Sequence, residues 1–274
     1  MSLIVNNNPA SIAAQRNLTV NTNQLQRSVE RLSSGLRITR AADDAAGLGV
    51  SETLRAQIRS INQATRNAND GISLTQVADG AAAVIGNLLS RLRELSSQSA
   101  SGTVGATERS YLDQEFVSLR SEIDRIATVT EFNGQPLLSG STNSFEVFIG
   151  FKSGTGNSLT ASLNDLDLTS IGLASVNIST SANAQSALSN IDSAISSIAT
   201  ARAEYGSIQN RFEAAIANLQ VTSESFTAAE SRIRDADIAF ETSQFTKNQV
   251  LVQSGIAVLA QANALPQQAL ALLR

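Results

Sequence analysis

The sequence contains no cysteine, no histidine and no tryptophan. The absence of cysteine excludes thiol nucleophiles, iron–sulfur clusters and disulfides, and it leaves both a cytoplasmic and an extracellular location open. The absence of histidine removes the commonest general base, the catalytic triads that depend on imidazole and the usual zinc ligand sets. The composition therefore argues against most classes of enzyme.

Aromatic residues are scarce, at 4% of 274 residues, although 42% of the chain is hydrophobic. The apolar side chains are therefore mostly Ala, Leu, Ile and Val, which suit helices that pack closely together. The formal net charge of −4 argues against a general nucleic-acid binder. Because no aromatic residues interleave the arginines of residues 1–66 as platforms for base stacking, we expect no nucleic-acid partner.

Long apolar segments are also missing. The chain has no run of about 18 apolar residues, the length that would span a membrane. Residues 1–9 have neither a basic n-region nor a long apolar segment. We therefore expect no membrane insertion and, if the protein is exported, a route that does not read a cleaved signal peptide.

Apolar residues at alternating spacings of three and four dominate both ends of the chain and predict long helices. A second pattern begins near residue 44 and would give a helix about 80 Å long at about 1.5 Å per residue. A third helix is expected from Thr107, a residue type suited to an N-cap, and helical spacing resumes over residues 188–233. The first apolar seam contains Leu18, Leu25, Val29, Leu32 and Leu36, and the second includes Val77, Ala81, Val84, Leu88, Leu92 and Leu95.

Residues 129–182 interrupt the helical spacing. The segment Phe132-Asn-Gly-Gln-Pro136 has the composition of a tight turn. Apolar residues then alternate at Phe145, Val147, Ile149 and Phe151, which predicts a short strand. The predicted fold is therefore mainly α, a long antiparallel helical rod or coiled coil with a small β-hairpin region in the middle of the chain.

The last segment of the chain carries two apolar seams. One repeats at sevens from Leu251, and the other, which contains Phe245, Val252, Ile256 and Leu259, lies further round the helix, so one partner helix cannot cover both. Residues 248–273 carry no charge. Amphipathic, uncharged ends of this kind predict surfaces that order and become buried when several copies assemble. The predicted assembly residues are Leu18, Leu25, Val29, Leu32, Leu251, Val258, Leu265 and Leu272.

Two acidic pairs superficially resemble catalytic or metal-binding carboxylates. They are Asp43-Asp44 and Asp235-Ala-Asp237, and neither has a base, a nucleophile or a phosphate loop nearby. The simpler interpretation is that an aspartate of each pair caps the helix that follows. Gly154-Thr-Gly156 lacks the third glycine of a dinucleotide-binding loop. We therefore expect no enzyme activity, no cofactor and no metal site.

Several short motifs follow one another along nearly the whole chain. They are Leu32-Ser-Ser-Gly-Leu-Arg-Ile38, Ala42-Asp-Asp-Ala-Ala-Gly-Leu48, Asn67-Ala-Asn-Asp-Gly-Ile72, Arg91-Leu-Arg-Glu-Leu95, Ser231-Arg-Ile-Arg-Asp-Ala-Asp237 and Gln261-Ala-Asn-Ala-Leu-Pro-Gln267. In this order they resemble the bacterial flagellins. The resemblance implies a structural subunit that self-assembles into the extracellular flagellar filament for swimming motility.

The resemblance also implies a division of the chain. Residues 1–43 and 235–274 would pair as the inner layer of the filament, and residues 44–234 would form a helical rod domain with its β region at about 129–182. Residues 140–180 are too few for the large outer domains of many flagellins, so the chain resembles a minimal form. Two alternatives remain open, namely a hook–filament junction protein of the same superfamily and a secreted coiled-coil adhesin or effector.

The partners that the resemblance implies are other copies of this chain, the flagellar export apparatus, an export chaperone, and the filament cap and hook–filament junction proteins. Arg91, Leu95 and Glu115 match positions that some flagellins present to the host Toll-like receptor 5. The spacing also has a simpler interpretation, in which Leu95 continues an apolar seam, Arg91 pairs with Glu94 and Glu115 is a solvated helix residue.

Overall fold

The computed structural model describes residues 7–140, 144–152, 154 and 156–271, and for residues 265–271 it describes the backbone alone. Helices dominate these ranges, so the mainly α fold class is confirmed. The helices are α1 (Pro9–Ser34), α2 (Ala45–Ala100), α3 (Ala106–Val129), α4 (Ser181–Arg234) and α5 (Ile238–Ala271). The strands are β1 (Glu131–Phe132), β2 (Gln135–Pro136), β3 (Ser144–Phe148) and β4 (Ser158–Ser162).

Short polar side chains mark where the helices begin. The carboxylate of Asp44 accepts a hydrogen bond from the backbone N–H of Gly47 at 2.8 Å, at the start of α2. The carboxylate of Asp237 accepts one from the N–H of Phe240 at 3.1 Å, at the start of α5. Both bonds satisfy N–H groups that a helix start leaves without a partner, so the capping interpretation of the two acidic pairs is confirmed.

The start of α3 differs from the expectation. Gly105 is the N-cap residue, with no hydrogen bond from a capping side chain, and Thr107 already lies inside the first turn. The prediction of Thr107 as the cap is therefore wrong. Glycine also suits this position, because the N-cap residue has extended backbone and glycine adopts it without a side-chain cost.

The chain divides into two compact units. The terminal unit comprises Met1–Ala56 and Ser225–Arg274, and the central unit comprises Gln57–Glu224. Helices α2 and α4 each contribute residues to both units. The connections between α1 and α2 and between α4 and α5, where the sequence places its domain boundaries, both belong to the terminal unit.

The central unit buries its apolar residues in two clusters, a larger one that includes Leu89 and Phe116 and a smaller one that includes Ala68 and Phe212. Its segments of α2 and α4 run antiparallel, because Arg93 pairs with Asp192 at 2.6 Å whereas Asp79, earlier in α2, pairs with Arg202, later in α4, at 2.8 Å. Helix α3 packs onto the larger cluster. The largest fully buried side chains of this unit are Tyr205, Phe116, Phe212, Ile61, Ile85, Leu89, Leu92, Leu95, Ile123, Leu137, Leu138 and Leu166.

The contact face of α2 differs in part from the expected one. Val77 and Val84, which the sequence places in the seam, are exposed, whereas Ala78, Ala82 and Ile85 are fully buried. The expected seam is confirmed at Leu92 and Leu95, which are buried, and is wrong at its two valines. The observed face uses alanines, because small side chains let neighbouring helices approach closely while the larger valines remain on the outside.

The β region contains two antiparallel strand pairs. Strands β1 and β2 join through Asn133 and Gly134, which have backbone φ of 51° and 76°, as a two-residue hairpin turn requires. Strands β3 and β4 pair over their full length. The small β region is therefore confirmed, although β3 ends at Phe148, before two of the alternating residues that the sequence places in the strand.

By length and composition alone, one described helix, α2, is apolar enough to cross a membrane. A helix in the core of a water-soluble protein meets the same criterion. Leu89 and Leu92 of α2 are fully buried in the core of the central unit.

Candidate assembly surface

Helices α1 and α5 form an antiparallel pair within the terminal unit. At one end, the side-chain amide of Asn8 donates to the carbonyl oxygen of Ala262 at 2.7 Å. At the other end, Arg31 lies 3.7 Å from the carboxylate of Glu241, whose side chain is buried. The start of α1 therefore packs against the end of α5, and the end of α1 packs against the start of α5.

Along both helices, one set of less exposed residues recurs at spacings of three and four, which is the pattern of two helices packed along a shared seam. On α1 these residues are Ser11, Ala14, Leu18, Asn21, Leu25, Ser28 and Leu32. On α5 they are Glu241, Phe245, Asn248, Val252, Gly255, Leu259 and Ala262. The seam therefore contains more small and polar side chains than large apolar ones.

Small residues bring the two helices close together. A Cβ atom added to Gly255 would lie 3.3 Å from Cδ1 of Leu18, which is tighter than an ordinary van der Waals contact. Ser28 is buried in the seam, whereas its neighbour Val29 is 48% exposed. The placement of Val29 in the α1 seam is therefore wrong, because the contact selects side chains by size as well as by hydrophobicity. Leu18, Leu25 and Leu32 do lie in the seam.

A second stripe on α5 is left uncovered by α1. Leu251 is 38% exposed and Val258 is 56% exposed, although both are large apolar residues. Ile256, which the sequence places in the covered seam, is also exposed. Helix α1 therefore covers one seam of α5. It leaves exposed the second stripe, whose residues recur every seven positions from Leu251. The side chain of Leu265 and the whole of Leu272 lie outside the described residues.

The connections at the end of the helix pair are joined by backbone hydrogen bonds. Leu36 and Asp235 form an isolated antiparallel bridge, and the N–H of Arg37 donates to the carbonyl oxygen of Arg234 at 2.7 Å. Arg234 also pairs with Glu52 at 2.7 Å, and this hydrogen bond lowers the pKa of Glu52 below its usual value. Within the described ranges, no group of three or more acidic residues is placed to hold a metal ion.

Asp43 organises the connection between α1 and α2. Its carboxylate accepts hydrogen bonds from the N–H and hydroxyl of Thr39 and from the N–H of Arg40. Although burial raises the pKa of Asp43, these hydrogen bonds outweigh it and hold the pKa below its usual value. Arg40 in turn pairs with Glu30 on α1, so the connection is tied to the helix pair.

The three residues of the expected receptor site do not share one surface. Arg91 lies 2.8 Å from Glu115 and 2.9 Å from Glu94, and hydrogen bonds to Glu115 and Glu94 raise the pKa of its guanidinium group. Leu95 is only 1% exposed and belongs to the core of the central unit. The structure therefore brings Arg91 and Glu115 together on the surface and places Leu95 beneath it.

These features describe a class of protein, namely a helical structural protein whose terminal helix pair exposes apolar side chains that a single copy leaves uncovered. Comparison with known families gives a more specific result. Residues 5–143 match the bacterial flagellin N-terminal helical region, and residues 188–273 match the bacterial flagellin C-terminal helical region. The chain belongs to the bacterial flagellin family.

Individual relatives agree with this assignment. The chain is 45% identical to a flagellin of Halalkalibacterium halodurans, over 99% of this chain and 100% of the relative. It is 42% identical to a flagellar filament 33 kDa core protein of Treponema phagedenis, over 99% of this chain and 100% of the relative. Full coverage of these relatives fits a small flagellin without large outer domains. The chain is a structural subunit of the extracellular flagellar filament and not an enzyme.

A solved structure shares the fold. A protein of Vibrio parahaemolyticus described as flagellar hook-associated superposes with a TM-score of 0.61 at 14% sequence identity, covering 70% of this chain and 100% of that protein. At this identity the likeness concerns the fold alone. The higher identity to flagellins favours a filament subunit over a hook–filament junction protein and over a secreted adhesin or effector.

Proposed function

We propose that copies of this chain polymerise through the uncovered stripe of α5, which includes Leu251 and Val258. One observation carries the proposal: α1 already covers the neighbouring α5 seam, and yet these two large apolar residues remain exposed. Burying such side chains against a neighbouring copy contributes about 1.5–3 kcal/mol for each. By sequence spacing, Leu265 and Leu272 extend the stripe toward the end of the chain.

The same geometry separates the α1 residues that face α5 from those that a neighbouring copy could contact. Leu18, Leu25 and Leu32 hold the helix pair together within one copy, so their contribution to the polymer is indirect. Val29 is exposed and is available to a neighbouring copy. Residues 1–43 and 235–274 would then form the inner layer of the filament, and the helices between them would form the rod domain.

The test replaces Val258 with Asp. A charge buried in a contact between copies costs several kcal/mol, and no basic residue between residues 248 and 273 could neutralise it. We expect loss of seeded filament growth with an unchanged circular dichroism spectrum. The control Val258→Ala removes part of the side chain without adding charge and should retain growth. Normal growth of the Val258→Asp protein would refute the interface.

We also propose that the subunit leaves the cell through the flagellar export apparatus with the help of an export chaperone. It would then join a filament that has cap proteins at one end and hook–filament junction proteins at the other. Its N-terminal segment should be retained, because Asn8 bonds to Ala262 and so contributes to the helix pair. N-terminal sequencing of subunits from purified filaments tests this point. Filament subunits whose sequence begins after Asn8 would contradict it.

A host receptor is a further proposed partner. Arg91 and Glu115 are half exposed and joined, so they could be presented together to Toll-like receptor 5, whereas Leu95 would act by packing beneath them. We expect Arg91→Ala to lower the affinity of the monomer for the receptor ectodomain by about tenfold or more, since an arginine that anchors an interface commonly contributes about 2 kcal/mol. Equal affinities of the two proteins would leave Arg91 with only its ion pairs to Glu94 and Glu115.

A further inference from the structure

The helix pair contains a basic groove that the assembly stripe alone does not explain. The groove has a volume of about 480 Å³ and lies between α1 and α5. Arg27, Arg31 and Lys247 line it, together with one carboxylate, that of Glu241. The groove therefore contains three cations and one carboxylate.

The cations of the groove are mostly unpaired. Arg31 lies 3.7 Å from Glu241 and is the one cation of α1 and α5 with an ion pair in the part of the chain that the structure describes. Arg27 and Lys247 make no ion pair there, and both side chains are exposed. A single copy of the protein therefore leaves this positive charge to the solvent.

The groove is continuous with the proposed assembly stripe, because Leu251 lines it as well. A neighbouring copy that covers Leu251 would therefore also remove water from Arg27 and Lys247. Desolvated cations are costly unless an anion is placed beside them. An assembly contact at this position consequently requires a negative group from the neighbouring copy.

The same unit carries suitable acids outside the helix pair. Asp43, Asp44, Asp235 and Asp237 are exposed, lie on the two connections, and form no ion pairs among the described residues. The carboxylates of Asp43, Asp44 and Asp237 accept backbone hydrogen bonds within the chain. The carboxylate of Asp235 has no such bond within the described ranges, so it is the acid best placed to pair with another molecule.

We propose that the groove of one copy receives the Asp235 carboxylate of a second copy, which pairs with Lys247 and Arg27. The inference rests on the proposed polymerisation and names a charged contact that accompanies the apolar stripe. The groove and Asp235 are different parts of the unit, so each copy can donate to one neighbour and accept from another. Contacts between unlike surfaces of this kind propagate into open polymers rather than closed dimers.

The experiment exchanges the two charges. Lys247→Glu and Asp235→Lys should each lower the rate of seeded polymerisation by about tenfold or more, because each places like charges together. The double variant Lys247→Glu with Asp235→Lys should recover most of the rate. An equimolar mixture of the two single variants should recover as well, since each supplies the complement of the other.

The controls separate the possible failures. Lys152→Glu makes the same charge change on an exposed residue of the central unit and should leave polymerisation unchanged, and circular dichroism should show that every variant folds. Normal growth of either single variant, or failure of both the double variant and the mixture to recover, would overturn the pairing. If inorganic phosphate binds the wild-type monomer and Asp235→Lys grows normally, the groove is an anion site instead and the proposal is wrong. Failure of the wild-type protein to polymerise would refute the proposed function itself.

Discussion

The central and terminal units use their apolar residues in opposite ways. Among the described residues, three apolar residues of the terminal unit are at most 9% exposed, namely Ala14, Ile38 and Ala262. Every other buried apolar residue belongs to the central unit. The terminal unit exposes many of its large apolar residues instead. These are Ile12, Val20, Val29, Val50, Ile238, Phe240, Val250, Leu251, Ile256 and Val258.

The difference shows where each unit obtains its stability. The central unit has a complete core and can fold within one copy, because burial of apolar surface is the main favourable contribution to folding. The terminal unit joins two helices through a narrow seam of small and polar residues. Helices with so little burial are marginal in water, so the terminal unit depends on neighbouring copies for the rest of its stability.

The largest expected effect is on protease resistance of the monomer. We expect limited proteolysis to remove about the first 40 and the last 40 residues while a central fragment survives, because segments with little burial open readily. Mass spectrometry of the fragments would identify the cleavage sites. Full protection of both ends in a verified monomer would remove the distinction between the units.

Truncation of a buried residue should cost more unfolding free energy in the central unit than truncation of a seam residue costs in the terminal unit. Phe212 is fully buried in the central unit, so Phe212→Ala should lower the free energy of unfolding of the monomer by about 3–5 kcal/mol. Leu259 is only half buried in the α1–α5 seam, and Leu259→Ala should cost well under half as much. Urea unfolding of the two variants provides the measurement. Equal losses would show that the helix pair contributes as much as the core.

Two glycines in helices offer a matched comparison. A Cβ atom on Gly71 would lie 2.6 Å from the ring of Phe212, so Gly71→Ala should destabilise the monomer by about 1–3 kcal/mol. At Gly255 the new atom would meet the flexible end of Leu18 at 3.3 Å, and alanine is favoured over glycine by about 1 kcal/mol within a helix. We therefore expect Gly255→Ala to leave the thermal midpoint of the monomer unchanged or slightly raised. A large loss at Gly255 would indicate a rigid seam.

The smallest effects concern pH, and a buried tyrosine and hydrogen-bonded carboxylates respond to it with opposite signs. Burial raises the pKa of Tyr205 in the central unit to about 12. The neutral phenol therefore stabilises the fold below its ordinary pKa, and this contribution is lost as the pH rises from about 10. Spectrophotometric titration of wild-type protein and Tyr205→Phe should assign the late-ionising tyrosine. Its ionisation near pH 10 would contradict the buried position.

In the terminal unit, hydrogen bonds lower the pKa values of Asp43 and Glu52. The stability that these carboxylates contribute is therefore present at neutral pH and is lost as the pH falls below about 4 toward the lowered pKa values. The pKa of Glu122 in the central unit is lowered as well, but that unit keeps its buried apolar residues, so acid should loosen the terminal unit first. Proteolysis at a series of pH values, with an acid-stable protease, would show the order of opening.

The sequence predicts the elements of this fold better than it predicts their contact faces. The spacing of apolar residues predicts the long helices, the segment 132–136 predicts a tight turn, and the two acidic pairs predict helix starts, which the structure places at Asp44 and Asp237. Each of these features depends on interactions among residues that are near one another in the chain. Local patterns are therefore sufficient to find them.

The errors concern residues chosen by hydrophobicity alone. Val29, Val84 and Ile256 are more apolar than Ser28, Ala82 and Gly255, and yet the smaller residues lie in the contacts. The face of a helix that packs depends on how closely the neighbouring helix approaches. The pattern of apolar residues along one helix does not predict that interhelical distance. The groove of Arg27 and Lys247 is missed for a similar reason, since its residues come from opposite ends of the chain.

Amide hydrogen exchange of the same protein as monomer and as filament tests the dependence of the terminal unit on neighbouring copies most directly. We predict that α1 and α5 exchange quickly in the monomer and become strongly protected in the filament, while the buried helix segments of the central unit are protected in both states. Protection of α5 in the monomer equal to that in the filament would contradict the account, because the helix pair would then be stable without a neighbour.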